Sequence, residues 1–263
     1  MPVIFVPHGG GPWPFMQNPI GRPTELQALS AYLSAVRDLP PTPPKALLIV
    51  SAHWEAPMPT VMTSAAPPLL YDYYGFPPET YKLSWPAPGA PDLAQRVRTL
   101  LSAAGIASAE DATRGFDHGV FVPLSLPYPE PVIPTLQLSL KSGLDPSEHL
   151  AIGRALAPLR DEGVFIIGSG LTYHNLSAIK NPASAPAAAA FDVWLRETLV
   201  LDPEARDENL THWARAPMAR QAHPREEHLL PLMVAAGAAG STRGSVAYRG
   251  TLLGLDISGY AFG

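Results

Sequence analysis

The stretch that most constrains this chain is ALLIVSAHWE, Ala46 to Glu55. Ala46 to Val50 form a continuous apolar run, which predicts a strand covered on both faces by helices in an α/β sheet. His53 follows within three residues of that run. In open α/β sheets the reactive groups collect just past the carboxyl ends of strands, so chemistry is expected here.

Val3 to His8, Gly115 to Gly119, Val164 to Asn175 and Glu226 to Pro231 repeat this layout. Of the eight histidines, five (His8, His53, His118, His174 and His228) fall at strand exits, in glycine-bearing loops or at a helix start. A single histidine so placed is most often structural, whereas five converging would make a metal site. The chain has no cysteine, so any metal must be held by nitrogen and oxygen. Charged residues make up 16% of the chain and the formal net charge is -5, which leaves no basic surface for a nucleic acid partner. The length of 263 residues with no compositional seam predicts a single domain over 1–263. No run approaches about 18 uninterrupted apolar residues, so no membrane span is expected. MPVIFVPHGGG lacks a basic leader region, which points to a cytoplasmic protein.

Along the chain, Val3 to Val6 reads as a first strand, with His8 in a glycine loop that obstructs it little. Thr24 and Gln27 form a capping-box signature, with Leu26, Leu29, Leu33 and Val36 at helical spacing behind it. The aromatics of PPLLYDYYGFPPETYKLSWPAPGAP either wall a flat apolar pocket or tuck onto the core. Asp92 to Ala104, Asp145 to about Glu162, Ala185 to Leu199 and Arg225 to Ala236 read as helices, Asp145-Pro146 being a good N-cap and first-turn pair. TLQLSL, VFIIGSG and the tail TLLGLDISGYAF read as strands. His149 is expected on an exposed helix face, and His223 could orient a metal ligand through its other ring nitrogen. Three protein ligands on one face, leaving open positions, is what an O₂-activating non-haem Fe(II) site needs.

PHGGGP, VSAHW, YDYYGFPPETYKLSWPAPGAP, GFDHG, PTLQLS, GSGLTYHNL and EEHLLPL occur here in one order. In that order the chain resembles the class III extradiol ring-cleavage dioxygenases, in the DOPA 4,5-dioxygenase-like branch related to the LigB catalytic subunit. The resemblance implies a three-layer α/β/α fold around a central mixed sheet. It also implies one Fe(II) per chain, or Zn(II) in preparations that acquired the wrong metal. His8, His53 and His228 match the metal ligands, His228 being taken over its neighbour Glu227, although LigB itself uses a glutamate. His174 matches the acid/base catalyst, a fourth ligand in some relatives, and His118 matches a histidine near substrate and oxygen. Gly10 stands where many relatives carry serine.

The implied partners are a small-molecule catechol and O₂, and a homodimer is the base-rate assembly. Two other readings use the same ligands. One is a zinc-dependent hydrolase with His174 or Glu227 as base. The other is a non-catalytic binding protein, since the Memo proteins resemble LigB in fold. A carboxylate-bearing catechol would want a cation, and sequence alone does not place Arg22, Arg114 or Arg225 in the pocket.

Overall fold

The computed structural model describes residues 1–263. Its elements in chain order are β1 (Val3–Pro7), α1 (Pro23–Ala35), β2 (Ala46–Ala56), β3 (Thr60–Met62), α2 (Pro91–Ala103), β4 (Ala109–Asp111), α3 (His118–Leu124) and β5 (Thr135–Lys141). They continue with α4 (Pro146–Leu156), β6 (Val164–Gly170), α5 (Ala185–Leu199), α6 (Pro203–Thr211), α7 (Ala219–Ala222), α8 (Leu230–Ala239), β7 (Gly244–Leu252) and β8 (Leu255–Phe262). The strands form one mixed sheet in the order β4-β3-β5-β2-β6-β1-β8-β7. Its centre, β5-β2-β6-β1, is parallel, so four carboxyl ends share one edge. Leu47 to Val50 are 1% exposed or less, the double-sided burial expected of a continuous apolar run.

Strand alternation shows how the layers stack. A Cβ at Gly168 would sit 2.4 Å from the carbonyl oxygen of Pro231, and one at Gly170 would sit 2.1 Å from that of His228, so this face lies against the approach to α8. Ser169 points the other way and gives its hydroxyl to the Gly119 carbonyl in α3. Helices therefore cover both faces, which is the expected three-layer α/β/α arrangement. α8 is buried at every position, as a helix apolar all round must be.

α4 crosses α8 through a pair of glycines: a Cβ at Gly153 would lie 2.1 Å from Val234 O, and one at Gly237 would lie 2.1 Å from Leu150 O. No side chain fits without separating the helices. Gly153→Val is expected to cost about 3 kcal/mol or more, read as a lowered urea midpoint at unchanged slope.

Four details differ from the sequence reading. α1 opens two residues earlier, with Arg22 as N-cap and Pro23 pre-set for the first turn; Glu25, not a Thr24–Gln27 pair, meets the exposed backbone by accepting from Arg22 N at 3.3 Å. The same carboxylate accepts from Thr251, Leu253 and Gly254, fastening α1 to the β7–β8 hairpin. α4 ends at Leu156 and gives way to a tighter turn over Ala157–Arg160. α8 begins at Leu230 because the residues before it form turns that present Glu227 and His228. His149 is fully buried: Nδ1 donates to Asp145 O at 2.7 Å and Nε2 accepts from Lys141 N at 3.1 Å, so the neutral ring ties β5 to α4.

Candidate metal centre

His8 leaves the end of β1, and His53 lies inside β2, which runs three residues beyond it. Between Val50 and Glu55 the register with β5 slips, and this bulge re-aims Ser51 and His53 toward the carboxyl edge. His174 follows β6, His228 precedes α8 and His118 is the first residue of α3. The fold gathers all five around one cavity.

The partners behind the rings assign their tautomers. The Ser169 hydroxyl hydrogen goes to Gly119 O, so the same oxygen accepts from His8 Nδ1 at 3.2 Å. Glu227 Oε1 accepts from His174 Nδ1 at 3.0 Å and from His228 Nδ1 at 2.9 Å. Asp72 Oδ1 accepts from His118 Nδ1 at 2.8 Å and from its backbone N at 2.9 Å. In each ring the proton sits on Nδ1 and the Nε2 lone pair is free to face inward.

His8 Nε2 and His53 Nε2 face each other at 3.2 Å, and the donor atoms of His8, His53 and His228 lie within 4.8 Å of one another. Two nitrogens each about 2.0–2.1 Å from one ion stand about 2.8–3.4 Å apart, so the pair is already at ligand spacing. Burial, followed by the neighbouring histidines, holds His8 and His228 well below the usual range. Burial and then His118 push His53 down to about 3. Neutral ring nitrogens converging on one point can offer their lone pairs to a cation, so the donor set fits a divalent metal.

Asp117 braces this arrangement from beneath. Burial pushes its carboxyl up, and it is wholly enclosed by Ser51 Oγ at 2.7 Å, Arg114 Nη2 at 3.0 Å and Gln137 Nε2. Arg114 Nη2 also donates to His53 O at 3.1 Å, so one cluster sets the bulge of β2 and the start of α3 together. Gly119 is needed beside it, since a Cβ there would lie 2.4 Å from Ser51 Oγ and 2.9 Å from His53 Cδ2.

The aromatic segment serves both of its predicted uses. Tyr73 and Phe76 face the cavity, while Trp85 is buried edge-on to Phe116 and donates to Tyr128 O at 2.9 Å. Asp72, in the same segment, is the residue sequence reasoning missed; its acidic charge amid aromatics was the available signal. Burial raises its carboxyl, but the hydrogen bonds and charge of His118 outweigh that and leave it below the usual range. For Glu227, burial is likewise outweighed, by the hydrogen bond from His174.

His223 orients no ligand. Its Nε2 donates to Thr172 O at 3.0 Å, and the ring is wedged against Phe191 and Trp213. Burial pushes it down to about 3. A group whose folded value lies below its unfolded one near 6.5 takes its proton mainly on unfolding, so stability falls as pH drops below about 6.5 and goes on falling toward 3. Between pH 7 and 5 this group alone is expected to remove about 2 kcal/mol from the metal-free protein. His223→Gln should flatten the fall in urea midpoint across that interval.

A three-layer fold that brings five imidazoles to one cavity at the carboxyl edge of its parallel strands, three of them with donor atoms within 4.8 Å of one another, has the arrangement of a metal-dependent enzyme of the α/β class. The family model described as the catalytic LigB subunit of aromatic ring-opening dioxygenase matches residues 3–255, and the chain belongs to this family. With it the protein is an extradiol dioxygenase, an oxidoreductase. Among its relatives, the dioxygenase tasH of Hapsidospora irregularis is 38% identical over 100% of this chain and 85% of its own. The 4,5-DOPA dioxygenase extradiol of Beta vulgaris is 47% identical over 75% and 74%. The crystal structure of an uncharacterised Escherichia coli K12 protein covers 100% of both chains at a TM-score of 0.79 and 29% identity. No helix is long and apolar enough to cross a membrane.

Proposed function

We propose that the protein opens the ring of a catechol with O₂, using one Fe(II) held by His8, His53 and His228, and releases a semialdehyde. The observation that carries this reading is the set of three histidine donor atoms within 4.8 Å of one another beside a cavity that two further histidines enter. Bound there, Fe(II) supplies open positions at which a catecholate and O₂ meet, and a centre through which charge passes between them.

The chain's own groups handle the protons. His174 is the base: its Nε2 lone pair takes the catechol proton, and Glu227, already bonded to Nδ1, stabilises the resulting imidazolium. The same proton is then available for return to the opened product. His118 serves the oxygen side. Taking the proton of the catechol's second hydroxyl would turn its Nε2 into a donor where negative charge develops, with Asp72 at Nδ1 balancing the charge. Tyr73 and Phe76 wall the ring and keep water from it.

Glu227 lies behind His174 and His228, bonded to both, which favours it as their support over a place as third ligand. The test is anaerobic loading with Fe(II), then oxygen uptake and absorbance scans with catechols. Stoichiometric O₂ consumption with a yellow product is expected. Tight one-to-one iron binding without uptake would favour a hydrolase or a binding protein.

A further inference from the structure

We propose, on the basis of the ring-cleavage reading, that the substrate is a catechol carrying an apolar, uncharged substituent, an alkyl- or aryl-catechol, in place of a carboxylated one. The cavity measures about 220 Å³, small against the about 300–1,000 Å³ of drug-sized sites, which suits a single ring. None of its fifteen lining residues is lysine or arginine. Its polar side chains are the five histidines, already assigned to metal and protons, and two tyrosines. Tyr73 spends its hydroxyl on Thr80 O and shows the cavity only its ring. The remaining side chains are Phe76, Leu171, Leu176, Ile179 and Leu252.

The arginines that a carboxylate would need are engaged elsewhere. Arg114 reaches under the site to Asp117 and the His53 carbonyl. Arg225 places both terminal nitrogens on Glu55 and reaches Glu227 at 3.5 Å from behind the histidines, outside the cavity lining, and Arg22 stands exposed beside Glu25. Behind the histidine rings stand two carboxylates, Asp72 bonded to His118 and Glu227 bonded to His174 and His228. Inside the cavity a substrate carboxylate would lose water and meet no lysine or arginine side chain to replace it. At the mouth, Tyr74 is 90% exposed and Leu176 is 68% exposed, an apolar rim with nothing of the chain laid over it. An alkyl or aryl group extending from the ring would cover that rim and bury it.

The test compares 4-tert-butylcatechol and 4-methylcatechol with 3,4-dihydroxybenzoate and L-DOPA on the Fe(II)-loaded protein. Anaerobic calorimetry gives affinity, and oxygen uptake gives kcat/KM. The tert-butyl compound is expected to bind roughly 10-fold or more tightly than the dihydroxybenzoate, with kcat/KM ranked likewise. Leu176→Arg, which puts a cation on the rim, is expected to narrow both ratios. Equal or better binding and cleavage of the carboxylated compounds would overturn this proposal alone. Oxygen uptake with none of the four would overturn the ring-cleavage reading and the proposal with it.

Discussion

His53→Ala is expected to leave a folded protein that no longer retains its metal. The ring is a fifth exposed and packs no core, so the sheet loses little when it is removed. The site loses one of three nitrogens that lie within 4.8 Å of one another, and one of the pair at 3.2 Å. Removing even a partner behind a ligand costs about 10–100-fold in metal affinity, and removing the ligand itself should cost more than the upper end of that range. Metal content after dialysis, measured beside an unchanged far-ultraviolet dichroism spectrum, checks this. Turnover should disappear with the metal. Glu227→Gln, which keeps the imidazoles but weakens what orients two of them, should fall between the two proteins. Full metal retention by His53→Ala would remove His53 from the ligand set.

His174→Ala separates binding from chemistry. The ring of His174 lies almost flat against that of His228, with centroids 3.3 Å apart and planes 17° apart, and both share one oxygen of Glu227. Deleting it leaves the His8, His53 and His228 nitrogens in place, so one metal per chain is expected to stay bound. Ring cleavage is expected to fall by about 10²–10⁴-fold, the usual worth of a positioned proton acceptor. The fall should appear in kcat under saturating Fe(II), with metal content unchanged. Near-normal turnover would show that another group takes the catechol proton.

The sequence made the scaffold legible because burial on two faces leaves a mark that does not depend on distant partners: Ala46 to Val50 and VFIIGSG are central strands. α5 spans Ala185–Leu199 as its periodicity indicated, and Asp145 caps α4 by accepting from Ser147 N and Glu148 N. The five site histidines were visible for a related reason, since parallel strands deliver their ends to one edge.

What escaped was set by contacts between remote segments. Glu25 sits at N3 of α1, but its carboxylate is bound by a hairpin more than 220 residues away. His149 looked exposed because its two partners, a helix-cap carbonyl and a strand amide, follow from tertiary placement and not from periodicity. The bulge that turns His53 inward leaves no local trace, because it exists only relative to β5. Gly153 and Gly237 were silent for the same reason, each being required by the backbone of the other helix.

The bond from Asp72 to His118 bears on how such an enzyme can change over generations. Asp72 belongs to the aromatic segment that shapes the cavity wall, and it grips both the ring and the backbone amide at the start of α3. A substitution that reshapes this wall to admit a new substrate therefore tugs on the group that serves oxygen. Selectivity and speed are inherited together here. Laboratory evolution of the wall should accordingly pass through slow intermediates, and recovery should come from second changes that restore the grip on His118 without returning the wall to its former shape.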